Sequence, residues 1–262
     1  MAARRPAAAR GRVVPYFQPR IRLSDGAVTG FEALARLLTA GGEVLAPAKF
    51  LHAYATPVAK TELLLTMLDA VLALAAQWRR RAVDLPISLN IDAAQLSEAA
   101  FAETVIGVAA HYPGALGRLQ FELLESGAVD CYEAANATIR SLRGHGVRFH
   151  LDDFGAGFAT PLHLKRLAIS TAKLDRTFVQ GIATHEADRT VVAALISIAR
   201  AFGCSVVAEG VETREILDAL HALDCDEAQG YEIARPMPAG EVLAWIRHSG
   251  RPISIDAGRR WD

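Results

Sequence analysis

Apolar and polar residues change places along this chain in short blocks, and the blocks switch repeatedly between a period near two and a period near 3.6. Residues 13–23 and 27–38 alternate as strands do, and Ser24-Asp25-Gly26 between them marks a turn, so a hairpin is predicted. Gly41-Gly42 interrupts the pattern, and Pro47 and Pro57 bracket a short helical piece. A long apolar run, 63–78, follows and carries a helix to about residue 81, where Arg79-Arg80-Arg81 oppose its dipole. Asp69 interrupts that run, which is short for a bilayer, so it is predicted as a buried helix and not as a membrane span. Beyond it, strand-like stretches (86–92, 119–126, 147–154, 171–175, 205–209, 227–234) take turns with helical ones (93–111, 129–143, 186–202, 213–223, 239–248). Strands alternating with helices at this spacing predict βα units on a parallel sheet. About eight strands suit a modified (β/α)8 TIM-type barrel, and the early hairpin implies a first strand that runs antiparallel. A doubly wound open sheet is the competing architecture, but no GxGxxG follows an early strand.

Composition narrows the class. The chain has 262 residues, 52% hydrophobic and 22% charged, enough for one large globular domain or two small ones. No internal repeat or flexible linker divides it, so the expected organisation is a basic tail over 1–12, one domain over 13–250 and a C-terminal tail over 251–262. The first twelve residues lack the apolar stretch of a signal peptide. A formal net charge of -1 gives no reason to expect a nucleic-acid partner. Cys131, Cys204 and Cys225 are far apart and form no CxxC pair, which argues against a zinc knuckle or a disulfide framework and for a reducing, cytoplasmic setting.

The chemistry lies in the polar residues that the strands carry. Asp152 and Asp153 close the apolar run 147–154, and two adjacent acids resist joint ionisation unless positive charge sits between them. Alone they would read as turn residues. The pattern recurs, however: Glu32, Asn90, Glu122 with Glu125, Lys173, Glu209 and Gln229 all lie in or at the ends of predicted strands. In a barrel these ends converge on one face. The set is nearly all oxygen, which suits hard cations such as Mg²⁺ or Mn²⁺. Two such cations would clamp a phosphodiester for in-line attack, with Lys173 and Arg36 adding positive charge. No HExxH pair occurs, and a lone His150 reads more simply as a core or surface residue.

These same residues carry a family resemblance. Glu32-Ala33-Leu34 with Arg36, Phe17-Gln18-Pro19, Leu89-Asn90-Ile91 with Gln95-Leu96, and Phe121 to Ser126 each resemble a motif of the EAL family of bacterial cyclic di-GMP phosphodiesterases. So do Asp152-Asp153-Phe154-Gly155, Lys173-Leu174-Asp175-Arg176, Ala208-Glu209-Gly210-Val211-Glu212-Thr213, and Gln229-Gly230-Tyr231 with Arg235-Pro236-Met237-Pro238. The likeness covers about residues 13–249 in the family's order. It implies hydrolysis of cyclic di-GMP to linear pGpG by a metal-activated water. It implies two divalent cations, one held by Glu32, Asn90, Glu122 and Asp152, the other by Asp152, Asp153 and Glu209. Glu209 is implied as general base and Lys173 as a group that orients the water or stabilises charge. Gln18 and Arg36 would contact the dinucleotide, Gln229 would support the water, and Glu125 and Glu212 would brace the ligands from outside. A homodimer is implied as well. The chain departs from the motifs at Asp92, Leu124, Ser170 and along 156–164, where Pro161 removes a backbone donor. Those departures leave open a catalytically weak or inactive domain that acts as a cyclic di-GMP receptor.

Overall fold

A computed structural model describes residues 11–124, 131–157 and 159–254. Ten strands form one sheet: β1 (Gly11–Arg22), β2 (Val28–Thr39), β3 (Val44–Leu45), β4 (Ile87–Asp92), β5 (Leu119–Leu124), β6 (Arg148–Phe154), β7 (Thr171–Leu174), β8 (Ser205–Ala208), β9 (Glu227–Gln229) and β10 (Met237–Pro238). Strands β2 and β4 to β9 run parallel, each beside the next. β1 closes the ring by pairing antiparallel with both β2 and β9, so the predicted barrel with an inverted first strand is the fold. β3 and β10 are short additions on the edges of β2 and β1. Around the ring lie α1 (Pro47–Phe50), α2 (Pro57–Arg79), α3 (Ala93–Leu96), α4 (Phe101–Ala109), α5 (Tyr132–Arg143), α6 (Pro161–Arg166), α7 (Arg176–Val179), α8 (Glu186–Ala201), α9 (Arg214–Ala222) and α10 (Ala239–His248). Among the described residues, no helix is long and apolar enough to cross a membrane.

The two faces of each strand do different work. Side chains alternate across a strand, and here one alternate set is apolar and packs outward against the helices. Phe17, Phe31, Phe121 and Phe149 join Leu68, Leu72 and Trp78 of α2 in one core; Leu151, Leu174 and Val206 join Val192, Ile196 and Leu220 in another. The Trp78 ring meets Phe17 and Phe31 edge-on at 4.9 and 5.7 Å. Each such buried side chain stabilises by roughly 1.5–3 kcal/mol. The other alternate set fills the barrel and is polar: Gln18, Arg20, Glu32, Gln120, Glu122, His150, Asp152, Lys173 and Gln229 are all buried. Barrel registers set several of them level with one another, Gln18 with Glu32, Asn90 with Glu122, and Glu122 with His150. A barrel of this class normally fills its interior with branched apolar residues. This one has placed its apolar core outside the ring and its charges within.

Several predicted boundaries move. The helix expected over 93–111 is two helices, because Asp92 and Gln95 form a reciprocal cap that starts α3 and Ser97 ends it. Asp92, a departure from the family motif, also pairs with Lys60. The loop after Asp153 contains α6, unforeseen from the sequence. Pro161 is its first residue, where a helix needs no N–H, so the expected loss of a donor is corrected: it costs nothing there. Ser170, another departure, donates its hydroxyl to the Phe149 carbonyl at 3.0 Å. Ordered pairing extends past the expected domain bounds of 13 and 250: β1 begins at Gly11, and Ile253 bridges Val28 while Val28 and Ser254 share a backbone hydrogen bond. Residues 1–10 and 255–262 lie outside the described residues.

The strand expected over 227–234 stops at Gln229 because Gly230 lies against the loop that follows β8. A Cβ on Gly230 would fall 2.0 Å from the Val211 carbonyl oxygen and 2.3 Å from its nitrogen. Those two backbone groups are engaged, with Glu232 N–H and the Gln229 carbonyl. Gly230→Ala is therefore expected to cost about 2 kcal/mol or more, read as a lower denaturant midpoint. An unchanged midpoint would count against this packing.

Candidate active site

Adjacent residues on a regular strand face opposite ways, so Asp152 and Asp153 need an irregularity to serve one site. The structure supplies it. Leu151 pairs with Ala172 and Phe154 with Leu174, so β6 spends three steps where β7 spends two. The extra residue is a bulge, and Asp153 takes a left-handed φ of 50°, which aspartate tolerates better than most residues. Gly155 follows at φ 98°. As a result Asp152, Asp153 and Glu209 each bring a carboxylate oxygen within 4.8 Å of one another.

Deeper in the same mouth Lys173 is the hub. Its Nζ lies 2.5 Å from Glu122 Oε2, 2.5 Å from Glu209 Oε1, 3.1 Å from Asp152 Oδ1 and 3.6 Å from Glu32 Oε2. Glu32 is held on both oxygens, by Asn90 Nδ2 at 2.9 Å and Gln229 Nε2 at 2.6 Å. Glu32 lies within its strand: β2 runs on to Thr39, and only Phe31–Ala33 pairs with β4, so the barrel part of β2 ends there. Five buried oxygens of the cluster have no hydrogen-bond partner: Asn90 Oδ1, Glu122 Oε1, Asp152 Oδ1, Glu209 Oε1 and Gln229 Oε1. Lys173 comes close to two of these, Asp152 Oδ1 and Glu209 Oε1, but off the hydrogen-bonding direction.

Charge is out of balance. Four carboxylates share one ammonium. Burial pushes Glu122 up, but Lys173, aided by His150 and Arg20, outweighs it and holds this carboxyl well below the usual range. The others go the opposite way. Burial raises Asp152 to about 6, and it raises Glu32 and Glu209 as well, with the neighbouring carboxylates adding to it. Lys173, which burial alone would depress, is held well above its usual value by Asp152, Glu122, Glu209 and Glu32. Hard cations would relieve that surplus, and the unpartnered oxygens are the donors they take. The residues present thus fit divalent metal ions.

A pH dependence follows. A carboxyl raised on folding keeps a proton that the unfolded chain has already released, so stability falls as pH rises through that interval. For Asp152 the interval runs from its ordinary 3.8 to about 6. His150 acts in the opposite sense, because an imidazole pushed down to about 4 stabilises the fold as pH rises toward its ordinary 6.5, so the Asp152 share is read against Asp152→Asn. In EDTA the melting temperature of the parent minus that of Asp152→Asn is expected to fall from pH 5.5 to pH 7.5, by on the order of 1 kcal/mol or about 2–4 °C for a chain this size, seen by scanning calorimetry. A difference that rises with pH would refute the charge surplus.

The rim completes the mouth. Gln18 Nε2 donates to the Ala234 carbonyl at 3.1 Å, and Gln18 Oε1 accepts from Gln229 Nε2 at 3.3 Å. Arg36 is half-buried, 5.6 Å over the Tyr16 ring, with Nη1 on the Ala35 carbonyl. Beside it Tyr231 is 49% exposed and capped by Arg235 at 4.1 Å. That exposed ring was not singled out from the sequence, although the Gln-Gly-Tyr motif contains it. Glu212 is exposed and has no bond to the cluster among the described residues, and Glu125 lies outside them. Two interior residues, Arg20 and Gln120, were also missed. Arg20, 2% exposed, places Nη1 3.2 Å from His150 Nδ1 and 3.8 Å from Glu122 Oε1, and donates from Nη2 to Gln120 Oε1. A charged residue inside a strand pattern, Arg20 between Pro19 and Ile21, was the available signal. His150 is a buried core residue; burial foremost pushes its imidazole down to about 4.

Comparison with known proteins agrees with this geometry. The family model described as EAL domain matches residues 1–236. The chain belongs to the EAL family. It is similar to the cyclic di-GMP phosphodiesterase PA2567 of Pseudomonas aeruginosa, 34% identical over 88% of this chain and 39% of that protein. It is also similar to the cyclic di-GMP phosphodiesterase RocR of the same organism, 32% identical over 91% of this chain and 61% of RocR. The chain thus spans less than two thirds of either EAL relative. Among solved structures, the PaMucR phosphodiesterase in complex with c-di-GMP superposes with a TM-score of 0.81 at 30% identity, over 88% of this chain and 94% of that one.

Proposed function

We propose that this EAL domain hydrolyses cyclic di-GMP to linear pGpG with the help of two divalent cations, magnesium or manganese. Both named relatives are cyclic di-GMP phosphodiesterases, and the PaMucR neighbour is a complex with that nucleotide. The observation that carries the reading is the set of buried, unpartnered oxygens in one barrel mouth, around a carboxylate surplus that a single lysine leaves uncompensated. Glu32, Asn90, Glu122 and Asp152 would hold one cation, and Asp152, Asp153 and Glu209 the other. When bound, such cations supply Lewis acidity and make water a nucleophile at neutral pH.

The chain's own residues do the rest. Glu209 is the most exposed carboxylate around Lys173, its side chain at 22%, and takes the proton as the water oxygen bonds to phosphorus and the ribose oxygen leaves. Lys173, with its ammonium at the centre of the carboxylate cluster, would stabilise the charge that develops on the phosphate. Gln229 and Asn90 keep Glu32 in place. Arg36 meets the second phosphate, and the Tyr231 ring offers a stacking face for a guanine. A homodimer and a cytoplasmic site of action belong to the same proposal, and sedimentation velocity reads the dimer directly.

The test is turnover of cyclic di-GMP by purified protein with Mg²⁺ or Mn²⁺, resolved by chromatography. Product that appears with either metal and is lost in EDTA supports the proposal. Binding of the nucleotide without product under both metals would make the chain a receptor instead.

A further inference from the structure

The barrel has a second mouth, at the N-terminal ends of its parallel strands, and a cavity of about 740 Å³ opens into it. Arg20, Gln120 and His150, each 5% exposed or less, line its inner end. Arg118, Arg148 and Arg200 are among its outer residues. Acids line it too: Asp224 is exposed at its rim, and Asp84, Asp226 and Glu227 are engaged. Asp84 accepts from Arg118 at 2.7 and 2.5 Å. Asp226 accepts from Arg200 at 3.3 Å and from the Val206 N–H at 2.8 Å, and Glu227 accepts from Thr29 at 2.9 Å.

One cationic group and one further buried donor are left over. Arg148 is half-buried at the start of β6, and its guanidinium makes no hydrogen bond or ion pair with any described residue. Arg20 spends Nη1 and Nη2 on His150 and Gln120, but its buried Nε has no partner. A guanidinium cannot shed its proton, and a buried N–H donor without an acceptor costs free energy. Were Arg148 present only to brace the barrel, it would face a carboxylate as Arg118, Arg200 and, through Nη1, Arg20 do. An arginine's fork of donors suits a planar or tetrahedral oxyanion, and the cavity is far larger than a bare ion, within the range of small-molecule sites.

We propose that this mouth binds the phosphate group of a small phosphorylated molecule, with Arg148 and the Arg20 Nε–H as its donors. The site is separate from the acidic mouth and does not depend on metal.

Isothermal titration of the full chain tests it, in EDTA so that no divalent cation draws phosphate to the opposite mouth. The probes are inorganic phosphate and a nucleoside monophosphate. Saturable one-to-one binding is expected, weakened about ten-fold or more by Arg148→Met. Arg36→Met, which removes a cation from the other mouth, is expected to leave it unchanged. Equal affinity for the two probes assigns the phosphate group alone, and tighter binding of the nucleotide extends the site to its sugar and base. Should Arg148→Met fail to fold, Arg148→Lys, which keeps the charge but loses the fork, is expected to weaken binding by a smaller factor. Absence of saturable binding by either probe, or binding that neither variant at position 148 reduces, overturns the proposal.

Discussion

Glu209→Gln is expected to lower kcat for cyclic di-GMP by about 10³-fold, the middle of the range for a positioned general base, and to raise the melting temperature of the metal-free protein. The two effects have one cause. Glu209 sits among Asp152, Glu122 and Glu32, and burial with those neighbours raises its carboxyl well above the ordinary range. Such a group is kept for chemistry at the expense of the fold. The amide preserves its shape and removes its charge, so the folded state gains on the order of 1 kcal/mol, about 2–4 °C. Steady-state turnover and calorimetry in EDTA check the pair of outcomes. A kcat within ten-fold of the parent, or a lower melting point, would remove Glu209 from its assigned place.

Lys173→Met should act in the opposite sense on stability and the same sense on activity. Nζ is within 4 Å of four carboxylates, and the residue is 1% exposed. Removing the one ammonium among them leaves buried charges uncompensated, which typically costs about 3–5 kcal/mol. Added Mg²⁺ or Mn²⁺ is expected to restore much of that loss by taking over the lysine's electrostatic task, without restoring turnover. Urea denaturation with EDTA, then with saturating metal, separates these. Equal midpoints for parent and variant in EDTA would mean that the ammonium does not hold the cluster together.

Much of this was legible beforehand, for physical reasons that differ from part to part. The strand and helix order followed from blocks of changing period, and the inverted β1 from a turn between two alternating stretches. The oxygen residues stood out because acids are rare within apolar runs. What the sequence does not show is that Glu122 and Lys173, within β5 and β7, belong to a polar face that lines the whole barrel. Alternation was blurred because the strands are short and their outward residues face helices, so neither face looks like solvent. Helix α6 was missed since a proline argues against a helix unless it falls on the first turn. The bulge at Asp153 and the docking of Gly230 on Val211 depend on contacts between distant segments. Arg20 went unnoticed because its partners, Gln120 and His150, lie 100 and 130 residues away.

The antiparallel closure has a consequence for how the protein comes into being. Of the strands in the ring, β1 and β2 leave the ribosome before the others and β9 leaves it last. Glu32 on β2 receives its hydrogen bond from Gln229 across 197 residues, and Gln18 on β1 reaches Ala234 across 216. Throughout synthesis the outer edge of β1 waits unpaired, a sticky ribbon that a nascent chain must shield. The acidic centre is assembled by the same event that covers this ribbon. A chain stalled before residue 229 would carry nearly every acid of the site, yet it would have neither a closed ring nor the amide that orients Glu32.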